Sequence, residues 1–174
     1  MHQITTMKQL PEKCMFFGYG SLMFAAGLRD RGMKHIYTDE ELLPVTAYGL
    51  ERSMSAEWVI NPRMVHRYYG ICVKADAEVF GVLLRIHSKA DLIALLDDEY
   101  AAPVIMEYEP VYTLWDISDC FGPLHTGDTP KLALLCKPRK DNPELYAPDY
   151  VEYVYEHLPD RWKADFLLTG GKKP

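Results

Sequence analysis

The sequence predicts an α+β fold in which a largely antiparallel sheet carries most of the chain and helices enter only at intervals. Three observations lead there. Six short stretches rich in β-branched and aromatic residues read as strands: Met15 to Gly18, Val45 to Leu50, Tyr68 to Val73, Val79 to Ile86, Tyr108 to Trp115 and Leu132 to Cys136. The connection from Lys74 to Glu78 is polar and short enough for a hairpin, which sets antiparallel pairing in the middle of the chain. Only two stretches carry clear helix signals.

The first of these helices begins at Ser88, with Asp91 three residues on as a weak form of capping box, and Leu92, Leu95 and Leu96 mark its apolar face. The second opens Asp149-Tyr150-Val151-Glu152, where Asp149 is placed to cap and Glu152 to reach back, and Tyr150, Val151, Val154 and Leu158 face inward. A third helix or helical turn is expected after Leu22. Residues 117–130 and the stretch around Asn61-Pro62 hold turn-forming residues without periodicity and read as loops. No repeat, low-complexity tract or linker interrupts the chain. We therefore expect one domain over residues 1–174, with a core of about 15–158 between an N-terminal arm, 1–13, and a C-terminal tail, 159–174.

Composition narrows the function classes. With 174 residues, 48% of them hydrophobic, the chain is long enough to bury a continuous core. Its net charge is −6 and no basic cluster is longer than the terminal Lys172-Lys173, so it lacks the electrostatic footprint of a nucleic-acid binder. No apolar stretch precedes residue 14 and none approaches bilayer length, which leads us to expect a cytoplasmic protein without a membrane partner. Cys14, Cys72, Cys120 and Cys136 are too widely spread for a zinc site or a disulfide framework and read as reduced, structural thiols. The six histidines are scattered as well, with none at metal-ligand spacing, and no metal is expected.

The run Phe16-Phe17-Gly18-Tyr19-Gly20-Ser21-Leu22-Met23 reads as a buried strand that ends in a sharp turn. Glycines at 18 and 20 permit unusual backbone angles and put no Cβ in the way, so the N–H groups of residues 19–22 can converge on a carboxylate or carbonyl oxygen. Equally, these glycines can serve only to let a core strand leave its sheet. The turn is not a dinucleotide or phosphate loop, since the third glycine and the Lys-Ser/Thr pair are missing.

Glu99 is the acidic residue of interest. It lies seven residues after Leu92, four after Leu95 and three after Leu96, so it continues the apolar face of the first helix, while Asp97 and Asp98 point toward water. Partial burial, the negative end of the helix dipole and two like charges all disfavour ionisation, and a raised pKa is expected. That suits a general base near neutrality. The competing reading is a frayed helix end with three solvated acids.

Tyr19-Gly20-Ser21-Leu22 after an apolar strand resembles the opening signature of the gamma-glutamylcyclotransferase-like family, which includes the AIG2-like proteins. Val79-Phe80-Gly81-Val82-Leu83-Leu84 resembles that family's glycine-interrupted central strand, and Leu95-Leu96-Asp97-Asp98-Glu99 its acidic segment. Pro148-Asp149-Tyr150-Val151 is similar, more loosely, to its entry into a C-terminal helix. Order and spacing agree over about residues 15–158.

The resemblance implies a small mixed, largely antiparallel β-barrel or strongly curved sheet flanked by a few helices. It also implies cyclisation of a small-molecule gamma-glutamyl amine or peptide to 5-oxoproline with release of the free amine, in the manner of a cofactor-free acyltransferase or lyase. By the same resemblance Glu99 is the catalytic acid and base, and Tyr19, Gly20, Ser21, Leu22 and Tyr150 bind substrate. Two departures stand out. Leu96 occupies the usual place of an aspartate, and Pro110 that of an arginine in the following strand. Asp98, Glu107 and Glu109 are thus rivals to Glu99. A non-catalytic module that binds an acidic, amino-acid-like ligand is the alternative function, and a scaffold with an aromatic surface, drawing on twelve tyrosines, is a third. Neither the leaving amine nor the oligomeric state is legible in the residues.

Overall fold

A computed structural model describes residues 1–29, 31–61, 63–105, 109–122 and 127–174. Its strands are β1 (His2–Gln3), β2 (Cys14–Gly18), β3 (Leu43–Asn61), β4 (Met64–Ile86), β5 (Ala101–Ala102), β6 (Tyr112–Asp116) and β7 (Lys131–Leu135). Its α-helices are α1 (Ala25–Leu28), α2 (Lys89–Asp98), α3 (Tyr150–His157) and α4 (Asp160–Leu168). All seven strands join one sheet in the order β1-β6-β7-β2-β4-β3, with β5 beside β6, and the sheet curves into a half-barrel. The pairs β2–β7 and β5–β6 are parallel and the rest antiparallel, which makes the expected α+β class and mixed, strongly curved sheet correct. Among the described residues no helix is long and apolar enough to cross a membrane.

The apolar strand at the start of the chain sits mid-sheet. Phe16 and Phe17 of β2 are both fully buried, as expected of a strand covered on two faces. The hairpin expected at Lys74 to Glu78 is not there. Tyr68 to Val73 and Val79 to Ile86 belong to one strand, β4, that runs antiparallel to β3 throughout, and the chain reverses instead between Asn61 and Met64. Tyr48 pairs with Glu78 and Leu50 with Val73, so the intervening β4 residues swell outward as a bulge opposite Gly49, whose φ of +78° accommodates the bend. A polar segment marks the bulge because it has no partner strand.

Other boundaries also move. Strand β6 begins at Tyr112, after Pro110, whose ring nitrogen cannot donate to a ladder; Tyr108 and Glu107 lie outside the described residues, as does Pro62. Within 117–130, Ser118–Cys120 form a 3₁₀ turn. The N-terminal arm is anchored, with β1 paired to β6 and Ile4 and Leu10 buried. Ser88 caps α2 as expected, accepting the Asp91 N–H at 3.1 Å. Asp149 does not cap α3. It adopts a left-handed conformation (φ 58°) and makes no side-chain cap bond; its carbonyl accepts the Tyr153 N–H at 2.8 Å.

The largest correction concerns residues 159–174. They hold α4, whose Trp162 and Phe166, one turn apart, enter the core at 3% and 0% exposure. The buried Arg52 of β3 clasps this end of the chain. Its guanidinium donates to the carbonyls of Phe80 and Phe166 and lies 4.4 Å from the centre of the Phe166 ring. Among the described residues no carboxylate faces it, and burial lowers its pKa to about 9. Phe166→Ala is expected to cost about 3–5 kcal/mol in chemical denaturation. A mobile tail would make the same change silent.

Candidate active site

The turn after β2 is built by close approach. A Cβ on Gly18 would lie 2.4 Å from the Leu22 carbonyl oxygen, and one on Gly20 would lie 2.9 Å from the Tyr150 hydroxyl and 3.3 Å from Cβ of Tyr69. Neither glycine has positive φ, a conformation found instead at Gly32, Gly49 and Gly170, so it is the missing side chain that both positions use. Ser21–Met23 coil into a 3₁₀ turn closed by Met23 N–H donating to the Gly20 carbonyl at 3.0 Å. The N–H groups that open such a turn have no partner within it. Helix α1 follows, its first N–H, from Ala25, held by the Asp39 carboxylate at 2.6 Å.

Helix α2 delivers Glu99 to the same cavity as this turn. Leu92, Leu95 and Leu96 are fully buried and fix the helix's rotation. The hydrogen-bonded run persists to its end, with Glu99 N–H on Leu95 O at 3.0 Å and Tyr100 N–H on Asp97 O at 3.1 Å. Tyr100 then takes φ +49° and stops the helix. The frayed-end reading is therefore excluded, and the Glu99 side chain is only 12% exposed.

A cavity of about 410 Å³ joins these pieces. Tyr19, Gly20, Ser21, Leu22, Glu99 and Tyr150 all line it, together with Arg31, Asp98, Leu134 and the aromatic residues Trp58, Tyr68, Tyr69, Tyr112 and Tyr153. Its volume and mostly apolar walls with few polar groups are those of a small-molecule site. The phenols of Tyr19 and Tyr112 are tied to backbone, donating to Leu134 O at 2.8 Å and Tyr69 O at 3.1 Å. Burial pushes both far above the ordinary phenol range, so these rings are walls. Tyr150 stands edge-on to Tyr68 at 4.8 Å, with its hydroxyl beside Ser21. Burial also raises its pKa, Glu99 adds to the effect, and hydrogen bonding from Ser21 opposes it.

Arg31 is the residue that sequence reasoning missed. Its Nε donates to the Gly27 carbonyl at 2.9 Å, Nη1 to Glu99 Oε1 and to Asp98 Oδ2 at 2.5 Å, and Nη2 reaches Ser21 Oγ at 3.3 Å. The segment bearing it is pinned to α2 where Lys34 N–H donates to Asp91 Oδ1 at 2.7 Å. No local pattern around Arg31 announces this, because its partners come from α2 and from the turn. Asp98 also departs from expectation, since it turns to the cavity rim rather than to open water. Glu109, by contrast, is 78% exposed and paired with Lys137, away from the cavity, and Glu107 lies outside the described residues.

Burial raises the Glu99 pKa above the ordinary carboxylate value, Arg31 pulls it down, and Asp98 pushes it up. The direction is the one expected from the helix face. Asp98→Asn removes the raising charge and leaves Arg31 to Glu99 alone, so the Glu99 carboxyl should titrate at lower pH in carbon-detected NMR. Arg31→Gln should move it higher. A group whose folded pKa is raised holds its proton more firmly when folded, so stability falls as pH climbs from the unfolded value of 4.5 through the raised one. Glu99→Gln removes that loss and should keep or raise the Tm at pH 7.

No family model and no curated protein sequence matches this chain. Solved structures do. A gamma-glutamyl cyclotransferase superposes with a TM-score of 0.61 at 14% identity, covering 94% of this chain and 91% of its own. An uncharacterized protein from Homo sapiens gives 0.59 at 14% identity, with 94% and 92% covered. The chain thus has the gamma-glutamyl cyclotransferase-like fold, the one its sequence resemblance implied.

Proposed function

We propose that the cavity cyclises a gamma-glutamyl amine or peptide to 5-oxoproline, with Glu99 as the proton carrier. The observation that supports this reading is a mostly buried carboxylate that shares a cavity of substrate size with a glycine turn. Glu99 takes one proton from the substrate's α-ammonium, and the freed nitrogen attacks the side-chain carbonyl carbon. The N–H groups of Tyr19 to Leu22 receive the developing oxyanion. As the bond from that carbon to the leaving nitrogen breaks, the Glu99 carboxyl returns its proton there. The second proton shed by the ring nitrogen follows to the released amine.

Nucleophile and electrophile belong to one molecule, so the site's task is to fold the substrate and relay protons. Tyr150 and Tyr69 pack the chain of the glutamyl unit against the turn. The proposed ligand is a small molecule and the setting cytoplasmic.

The ion pair between Arg31 and Glu99 favours a second reading, a binding module for an acidic amino acid, because a base already paired is hindered from accepting a proton. One assay separates the two. Incubation with a panel of gamma-glutamyl compounds should release 5-oxoproline, and Glu99→Gln should lower kcat by about a hundred- to ten-thousand-fold. Binding of panel members without any 5-oxoproline would leave the module.

A further inference from the structure

The Arg31–Glu99 pair has the shape of a negative image. One guanidinium and one carboxylate stand side by side at the cavity wall, with Ser21 Oγ at 3.3 Å from Nη2 on the side of the turn. An α-amino-acid head group carries the complementary charges, an ammonium beside a carboxylate, on one carbon. Arg31 itself faces Asp98 and Glu99 from α2, the Gly27 carbonyl from α1 and Ser21 from the turn. Its Nη1 is shared by two carboxylates, whereas among the described residues Nη2 has only the long contact to Ser21. A planar fork with one arm so weakly engaged is suited to a carboxylate arriving from the cavity.

We propose that Arg31 is the anchor for the ligand's α-carboxylate, and that docking exchanges the Arg31–Glu99 ion pair for two pairs with the zwitterionic head group. The carboxylate takes Arg31 and Ser21. The ammonium takes Glu99, with Asp98 behind it. The exchange explains how a base that is paired in the empty cavity becomes available, since the group that draws Arg31 away belongs to the molecule whose ammonium Glu99 must meet. It also restricts the ligand class: both the α-amine and the α-carboxylate must be free, so conjugates blocked at either position are excluded. The inference rests on the gamma-glutamyl reading above and adds the residue that reads the carboxylate.

L-Glutamine, the simplest gamma-glutamyl amide, and L-glutaminamide, which differs only in bearing an α-carboxamide, form a matched pair for calorimetric titration. The wild-type protein should prefer L-glutamine by about ten- to a hundredfold, the range of hydrogen bonds to a charged group. Arg31→Gln should reduce that preference to below about threefold, because L-glutamine loses its carboxylate partner while both ligands meet a Glu99 no longer paired with Arg31. Because Arg31 also supports the end of α1, Glu99→Gln provides a second variant. It removes one of the two carboxylates that hold Arg31 and leaves Asp98 on Nη1, so 5-oxoproline, a carboxylate without an ammonium, should bind it about tenfold more tightly than wild type. Equal binding of the matched pair by wild type, no binding of either, a preference that survives in folded Arg31→Gln, or unchanged 5-oxoproline affinity in Glu99→Gln would overturn the assignment. A substrate panel yielding no 5-oxoproline would remove the cyclisation reading alone, and the binding ratios would still decide the anchor.

Discussion

The cavity depends on a rotational constraint: the leucine face of α2 must be buried, and Glu99 lies on that face. Turning the helix enough to bring the carboxylate into water would expose Leu92, Leu95 and Leu96, at a cost of about 1.5–3 kcal/mol for each side chain. Partial desolvation of one carboxylate is the smaller cost, and Arg31 offsets part of it. A burial term in the core thus holds an ionisable group in an apolar cavity, where its proton affinity is raised.

A second constraint acts at the glycine turn. The Gly18–Met23 turn fits only without side chains at Gly18 and Gly20, because the Leu22 carbonyl, Tyr69 and the Tyr150 hydroxyl already occupy that space. Tyr69 is supported from behind, where it meets the Phe166 ring edge-on at 5.5 Å and its hydroxyl accepts the Lys172 N–H at 2.8 Å. The Arg52 clasp on Phe166 therefore reaches the cavity floor through the last helix. Residues with no chemistry of their own keep the floor in place, which couples the C-terminal segment to the site.

Much was legible along the chain wherever the relevant signal was local. The β2 run, the Ser88 cap and the helical spacing that carries Glu99 inward are each short-range patterns, and each is present in the fold. Signals failed where one pattern has two physical outcomes. Polar residues 74–78 suit a hairpin and a bulge equally, and the antiparallel partner that decides between them lies at Tyr48 to Leu50. Asp149 has the composition of a cap, but its left-handed backbone leaves its side chain without a cap bond. In α4 the apolar pair Trp162 and Phe166 is only one turn long among charged neighbours, too slight a periodicity to distinguish a packed helix from a tail.

Sequence by itself determined the fold class, the glycine turn and the inward carboxylate, because side-chain period, glycine placement and helix spacing are properties of neighbouring residues. Tertiary structure alone decided that Arg31 meets Glu99, that tyrosines from four separate segments form one wall, and that the chain's end underlies the floor. Charge pairing and cavity shape arise between segments far apart in the chain, brought together by the curvature of the sheet, and no periodicity within a segment records them.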